Sequence, residues 1–438
     1  MNRLWKSLLG LLLVGAVSPV LRAETAASAV NTGDTAWMLM SAALVLLMTP
    51  ALAFFYGGLV RKKNMLSVLM QCFMLMAIIT VQWVFFGYSL AFGPDVHGFI
   101  GTLKWAFLKG VGQTPNPDYA ATIPHQAFMI YQAMFAIITP GLILGAFAER
   151  MKFSAFVVFS ILWATFVYDP VAHWVWGVGG FLRNMGALDF AGGTVVHINA
   201  GVAALTAALV LGKRQGFPHR ISPPHNLPFA VLGAGLIWFG WIGFNAGSAL
   251  SSGGLAANAF MTTHVAAAVA GLTWALLDWI FQKHPTMLGM ITGAVAGLVA
   301  ITPAAGFVNV MGAMGIGVGV SIICYISVVI VKAKFGYDDT LDAFGVHGVG
   351  GMWGAVATGL WATKTVNPAG ADGLFYGNPG LFLIQVKAVL LTIIYSFIAS
   401  YVLLKLVDMV LGLRVSEENE RIGLDLTEHR EAAYTLID

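Results

Sequence analysis

Charge is scarce in this chain. Only 10% of its 438 residues are Asp, Glu, Lys or Arg, against about a quarter in a typical soluble domain, which excludes an ordinary water-facing globule. The formal charge of +3 gives no reason to expect nucleic acid. Cysteine is nearly absent. Cys72 and Cys324 both lie inside apolar runs, where buried thiols are the better reading than a disulfide framework. Clusters of Cys, His or carboxylate at metal-ligand spacing are missing, which argues against a metal pump. Ser248 has no evident base to activate it, so a covalent membrane enzyme is not expected. The apolar runs carry no row of carboxylates such as lines a cation-selective filter. No cofactor is implied.

What the chain has in abundance is apolar length. Apolar residues make up 58% of it, mean hydropathy is +0.81, and the runs reach the length that spans a bilayer as helix. Eleven spans are expected, near 36–59, 67–93, 125–147, 153–172, 193–212, 226–248, 256–282, 286–304, 307–332, 343–363 and 380–412. The fold class is therefore an all-α polytopic membrane protein. Ahead of the first span, Arg3 and Lys6 precede an apolar stretch from Leu8 to Val17 and then small residues. That is the layout of a signal peptide over 1–29, cleaved after Ala23 or Ala29, leaving the mature N-terminus outside. Alternate connections then carry Arg61, Lys62, Lys63, Arg150, Lys152, Lys213, Arg214, Arg220, Lys283, Lys332 and Lys334, while the others hold only Lys104, Lys109, Arg183 and Lys364. The positive-inside rule places the first set in the cytoplasm. An odd span count puts the tail, 413–438, on that side too, after a membrane domain over 36–412.

Two histidines stand in matching surroundings. His197 lies in DFAGGTVVHINAG (189–201) and His347 in DDTLDAFGVHGVGG (338–351), and each follows an aspartate, Asp189 or Asp339, by eight residues. An ionisable group inside a span is costly and marks a functional site by default. A duplicated pair suggests an inverted repeat with its site at the repeat interface: spans one to five form one half, six to ten the other, and eleven is an addition. If the aspartates mark the helix starts, each histidine is about 12 Å in, and helices entering from opposite faces bring both near the midplane. Phe55-Tyr56-Gly57-Gly58 closing the first span and Phe244-Asn245-Ala246-Gly247-Ser248 closing the sixth echo one another in the same way. Most of the 51 glycines need no chemistry, since small residues let helices approach closely in lipid. Asp189 is read first as a cap for the fifth helix, Asp339 and Asp342 as braces of the tenth, and Trp174 and Trp238 as interfacial anchors.

DFAGGTVVHINAG, GWIGFNAGSA (240–249), FGVHGVGG (344–351), HWVWGVGG (173–180) and the tail GLRVSEENERIGLDLTEHREAAY (412–434) resemble the signatures of the ammonium transporter (Amt/Mep/Rh) family, in its bacterial Amt branch. The resemblance implies a homotrimer in the bacterial cytoplasmic (inner) membrane, with a pore through each subunit. It implies an outer recruitment site for ammonium at Trp176, Phe135 and Ser248, with Trp241 lining the pore nearby, and a gate of stacked Phe135 and Phe244. Below the gate it places His197 and His347 as twin pore histidines, and it gives Asp189 a supporting role for the outer pore. Tyr131, four residues before Phe135, stands where members of the family can carry phenylalanine. The resemblance further implies ammonium and ammonia as the species moved, electrogenic passage with a separate proton path, and a P-II-type regulatory protein as partner at the cytoplasmic face. Two other readings stay open: an ammonium sensor acting through a bound partner, and a neutral ammonia channel.

Overall fold

The computed structural model describes residues 30–219 and 223–434. The segment read as a signal peptide, 1–29, lies outside them. The described chain is almost wholly helical, with one two-stranded hairpin (Asp95–Val96 with Ile100–Gly101) in a loop. Its spans are Thr32–Leu59, Lys62–Phe92, His125–Phe147, Phe153–Trp163 continuing to Trp176, Gly193–Leu211, Leu227–Ala246, Gly254–Gln282, Met287–Ile301, Val310–Phe335, Phe344–Gly348 continuing to Trp361, and Pro379–Leu411. Nine helical stretches among these meet both length and hydropathy for crossing a membrane. The eighth is short, and the tenth is diluted by glycine.

The helices are inside-out relative to those of a soluble protein. On the eleventh, Leu383, Leu390, Ile394, Ile398 and Val402 are exposed, while Gln385, Thr392, Ser396 and Ser400 are buried. This suits a hydrocarbon solvent, in which polar side chains serve helix contacts. Gln385 is bonded on both sides of its amide. Nε2 donates to Leu188 O (2.8 Å) and Ala355 O (3.0 Å), and Oε1 accepts from Leu188 N (2.8 Å). Ser396 Oγ donates to Asn199 O (2.8 Å), and Trp163 Nε1 donates to Ser400 Oγ (3.0 Å). Trp174, expected at the interface, is buried and donates to Phe99 O (2.8 Å); the outer loop covers it.

The two halves correspond in geometry as well as in motif. The fourth and ninth spans each contain a π turn, Ala164–Tyr168 and Ile326–Val331, and the fifth and tenth each open with one, Gly193–Ile198 and Phe344–Gly348. Such turns offset the helix and recur at functional sites. The sixth span lies directly against the first, because a side chain on Gly233 would strike Phe55 N at 2.3 Å. The fifth and tenth cross even more tightly. A Cβ on Gly201 would sit 2.1 Å from Gly348 N, and one on Gly351 would sit 3.0 Å from Ile198 N. The same spacing relates Gly201 to Gly351 and Ile198 to Gly348 as relates the histidines, so the crossing is a two-fold contact.

One end of the bundle gathers the ionic groups. Arg61 pairs with Glu149 (3.0 Å), and Arg214 with both Glu149 (3.1 Å) and Asp338 (2.8 Å). Arg150 donates to Thr340 Oγ1 and Asp338 O, both at 2.7 Å. The tail runs across this end as two short helices, Glu417–Ile422 and Leu424–His429. Glu420 accepts from Arg414 Nη2 (2.7 Å) and Gln215 N (2.7 Å), and Asp425 accepts from Ser67 N (2.8 Å). These are the loops whose basic residues satisfied the positive-inside rule.

Candidate functional site

The candidate site begins with the entry of the fifth and tenth helices. Asp189 spreads its carboxylate over four backbone amides: Oδ1 accepts from Gly192 N (2.8 Å) and Gly193 N (2.7 Å), Oδ2 from Thr194 N (2.8 Å) and Val195 N (3.1 Å). Asp339 does half as much, accepting from Ala343 N (3.1 Å) and Phe344 N (2.8 Å). Orphan amides and the positive end of the helix both favour a carboxylate there. The chain reaches these caps through a left-handed residue in each half, Gly192 (φ +116°) and Asp342 (φ +58°), at corresponding positions. Asp342 also pairs with Lys332 (2.7 Å).

The sequence reading of histidine depth needs correction. The helices start at Gly193 and Phe344, not at the aspartates. His197 is therefore only about 6 Å along its helix. Its depth comes from the buried loop before the helix, since Asp189 is itself buried.

The two histidines meet. Their rings are 5.4 Å apart and 18° from parallel. Both ring nitrogens of His197, and Nδ1 of His347, have no hydrogen-bond partner among the described residues. Imidazole always offers a donor or an acceptor at each nitrogen, so these buried atoms keep unused hydrogen-bonding capacity in an aromatic and apolar setting. His197 stacks on Trp241 at 5.3 Å and lies 6.1 Å from Phe244. Trp241 is held by its Nε1 donating to Thr302 Oγ1 (2.9 Å).

Next to the histidines, Phe135 and Phe244 pack against one another, ring centroids 4.1 Å apart and 33° from parallel. Trp176 stands edge-on to Phe135 at 5.9 Å and 89°. Its indole donates to Asp189 O (2.9 Å), so the cap also anchors the tryptophan. On the Trp176 side of the phenylalanine pair is a cavity of about 200 Å³ lined by Phe135, Trp176, Ser248, Gln132 and Phe128. Trp241 is absent from that lining; it sits on the other side of the phenylalanine pair, beside His197. Sequence reasoning grouped it with Trp176, whereas the structure separates them by the two phenylalanines.

On the histidine side of the phenylalanine pair, a small space of about 10 Å³ lies among Trp241, His347, Leu52, Ile138, Leu142 and Val295, room for about one water-sized molecule. Adjoining it is a cavity of about 400 Å³ around His347, Phe55, Tyr56, Trp274 and Asp278, and next to that one among Arg61, Glu149, Arg214 and Lys332. In that last, water-facing region, burial pushes the Glu149 carboxyl upward, but Arg61 and Arg214 outweigh it and hold it below the usual range. Burial and Arg214 oppose one another in the same way at Asp338, with the same net lowering.

One residue lining the cavity beside Trp176, Gln132, and the contacts of Tyr131 behind that lining escaped the sequence reading. Gln132 lines it with Oε1 unpartnered among the described residues. The Tyr131 hydroxyl, fully buried, lies 2.8 Å from Phe244 O, 3.0 Å from Gly243 O and 3.2 Å from Ser248 Oγ. Nothing in the local sequence signals either contact, although Tyr131 does stand four residues before Phe135 on the same helix face.

The Ammonium Transporter Family profile matches residues 36–434. Among similar proteins are an ammonium transporter of Bacillus subtilis (strain 168), 56% identical over 92% of this chain and 98% of the relative, and ammonium transporter Amt1 of Archaeoglobus fulgidus, 48% identical over 92% of this chain and all of the relative. Similar solved structures include Mep2 of Saccharomyces cerevisiae, with a TM-score of 0.84 at 36% identity over 89% of each chain. A structure described as a sensor Amt protein has a TM-score of 0.84 at 28% identity, covering 91% of this chain and 98% of that one. With a family match across nearly its whole described length and relatives above half identity, the chain belongs to the ammonium transporter family.

Proposed function

We propose that this chain carries ammonium across the cytoplasmic membrane of a bacterium, recruiting it outside, stripping a proton, and passing ammonia between His197 and His347. The observation that carries this reading is the pair of near-parallel imidazoles with unpartnered nitrogens directly beyond the stacked Phe135 and Phe244. The names of the relatives support the substrate.

Trp176, Phe135 and Ser248 form the recruitment site. An aromatic face attracts a small cation by about 0.5–2 kcal/mol, and a hydroxyl oxygen accepts one N–H. Phe135 and Phe244 then exclude water. A bare ion in the apolar constriction faces an idealised desolvation cost on the order of 20 kcal/mol. Ammonium avoids it by giving up a proton and crossing as neutral ammonia. Potassium has no such route. The histidines offer hydrogen bonds to ammonia in transit and can relay the separated proton, which makes passage electrogenic. Trp241 braces His197, and Asp189 holds both the fifth helix and Trp176.

In this reading 1–29 is a cleaved signal, 36–412 the transport domain and 413–438 a cytoplasmic tail, with the mature N-terminus outside. The clustering of basic loops at the tail's end supports that orientation. The assembly is a homotrimer, and a P-II-type protein closes the cytoplasmic mouths.

The test is current on solid-supported membranes after an ammonium jump. Current with ammonium and none with potassium supports electrogenic transport. Absence of current with a stopped-flow pH change indicates a neutral ammonia channel. The likeness to a sensor Amt protein favours one second reading, a receptor; ammonium binding with silence in both assays selects it.

A further inference from the structure

His173 stands near the end of the fourth span, wholly buried, with both ring nitrogens against oxygen. Nδ1 lies 3.0 Å from Ala91 O, and Nε2 lies 2.9 Å from Asp95 Oδ1. A neutral imidazole has one donor and one acceptor; only the imidazolium donates from both nitrogens. A carbonyl and a carboxylate bring no proton of their own, so the two bonds together require the imidazolium. The surroundings favour that charge. Ala91 belongs to Tyr88–Phe92, the last turn of the second span, where unpaired carbonyls and the negative helix end attract a cation. Asp95 supplies the counter-charge, its side chain 29% exposed.

The two bonds tie a hairpin to two spans. Asp95 opens the hairpin of Asp95–Val96 and Ile100–Gly101, and its Oδ1 also accepts from Gly98 N (2.7 Å). Trp174 Nε1 donates to Phe99 O (2.8 Å), and Phe181 N donates to Gly98 O (3.1 Å). Gly179, left-handed at φ +96°, makes room for this approach: a Cβ there would strike Asp95 Cβ at 2.5 Å. The other titratable groups on the elements around His173 are engaged elsewhere. Tyr88 meets His125 (2.5 Å), Tyr119 donates to Phe92 O (2.7 Å), Asp169 accepts from Gln82 (2.7 Å), Arg183 donates to Trp176 O (2.7 Å), Tyr168 bonds to Thr139 and His197 stacks on His347. His97, on the same hairpin, is exposed. Among the described residues, Asp95 is thus the only charged group bonded to His173.

We propose that His173 is a pH-sensitive clasp, an imidazolium that straps this hairpin to the ends of the second and fourth spans while both its nitrogens carry protons. Loss of either ring proton sets a lone pair against an oxygen and opens one of the two bonds. Alkaline conditions on the hairpin's side of the membrane therefore free it from the helix that ends at Trp176, and acidic ones hold it. Acid is also the condition in which ammonia is held as ammonium. The clasp itself does not depend on the transport reading.

A nitroxide on Val96→Cys reports the hairpin, because Val96 is exposed and the native Cys72 and Cys324 are buried. Its mobility is followed by electron paramagnetic resonance in the full-length protein in lipid nanodiscs, without ammonium, from mildly acidic to mildly alkaline buffer. The same label is read in His173→Gln, Asp95→Asn and His97→Gln backgrounds, with circular dichroism as the check on folding. The label is expected to be held in acid and freed in alkali, in a one-proton transition. That transition is lost in His173→Gln, whose amide does not titrate, and persists in His97→Gln. In Asp95→Asn, which removes the counter-charge, it moves to lower pH. A label whose mobility is flat in folded wild type overturns the proposal, as does an unchanged transition in His173→Gln or its loss in His97→Gln. If His173→Gln does not fold, an unshifted transition in Asp95→Asn overturns it instead.

Discussion

Gly201 and Gly348 meet where neither position has room for a side chain: a methyl on Gly201 would lie 2.1 Å from the Gly348 nitrogen. Replacing Gly201 with alanine forces the fifth and tenth helices apart, at a cost of about 1–3 kcal/mol. The same shift separates His197 from His347. Gly201→Ala is expected to lower the melting temperature in detergent and to reduce ammonium transport more than the loss of folded protein accounts for. Normal transport per folded molecule would contradict the link.

Asp189 and Asp339 hold corresponding positions but unequal numbers of donors, four amides against two. Asparagine keeps one acceptor oxygen and turns an amide group toward the remaining N–H donors. Charge-assisted bonds are worth about 1.5–3 kcal/mol, so Asp189→Asn is expected to destabilise the fold more than Asp339→Asn. Thermal melting of the two variants checks the order. Because Trp176 hangs from Asp189 O, only the first should also weaken ammonium affinity.

Trp176 and Trp241 lie on opposite sides of the phenylalanine pair, which gives them separable phenotypes. Trp176→Leu removes an outer aromatic face worth about 0.5–2 kcal/mol, and the half-saturating ammonium concentration should rise between about two- and thirtyfold. Trp241→Leu removes the surface against which His197 stacks and should reduce the maximum rate instead. Concentration series for both variants test the split.

The carboxyls of Glu149 and Asp338 are held below their usual range by Arg61 and Arg214, in spite of burial. A carboxyl lowered on folding contributes stability above its unfolded pKa and loses it as pH falls through the folded one. Stability of the loop-and-tail cluster should therefore decline on acidification below the ordinary carboxylate range of about 4. Glu149→Gln should be less stable at neutral pH and should show a shallower acid decline. Melting curves from pH 7 downward measure both effects.

Much of this architecture is legible in the sequence because lipid leaves few choices. Long apolar runs must be helices, and a motif repeated around His197 and His347 announces a two-fold relation. What is illegible follows from long-range contacts. The bond from Gln385 to Leu188, the pairing of Arg214 with Glu149, and the approach of Tyr131 to Ser248 join residues far apart in the chain, and no local pattern encodes them. The starts of the fifth and tenth helices are illegible for a different reason. An aspartate several residues ahead of a helix can still cap it when the intervening loop folds back, as Gly192 at φ +116° allows.

The eleventh helix bears on how the proposed pore would work. Through one amide, Gln385 grips Leu188 of the first repeat and Ala355 of the second. A carrier that exposes its site by tilting one half against the other would have to tear this clasp open in every cycle. If the proposed pore works with the halves locked together, the moving parts would be small: aromatic rings turning in place at a constriction whose walls stand still. Throughput would then follow the rotation of Phe135 and Phe244, and a cross-link tying the eleventh helix to both repeats should leave it intact.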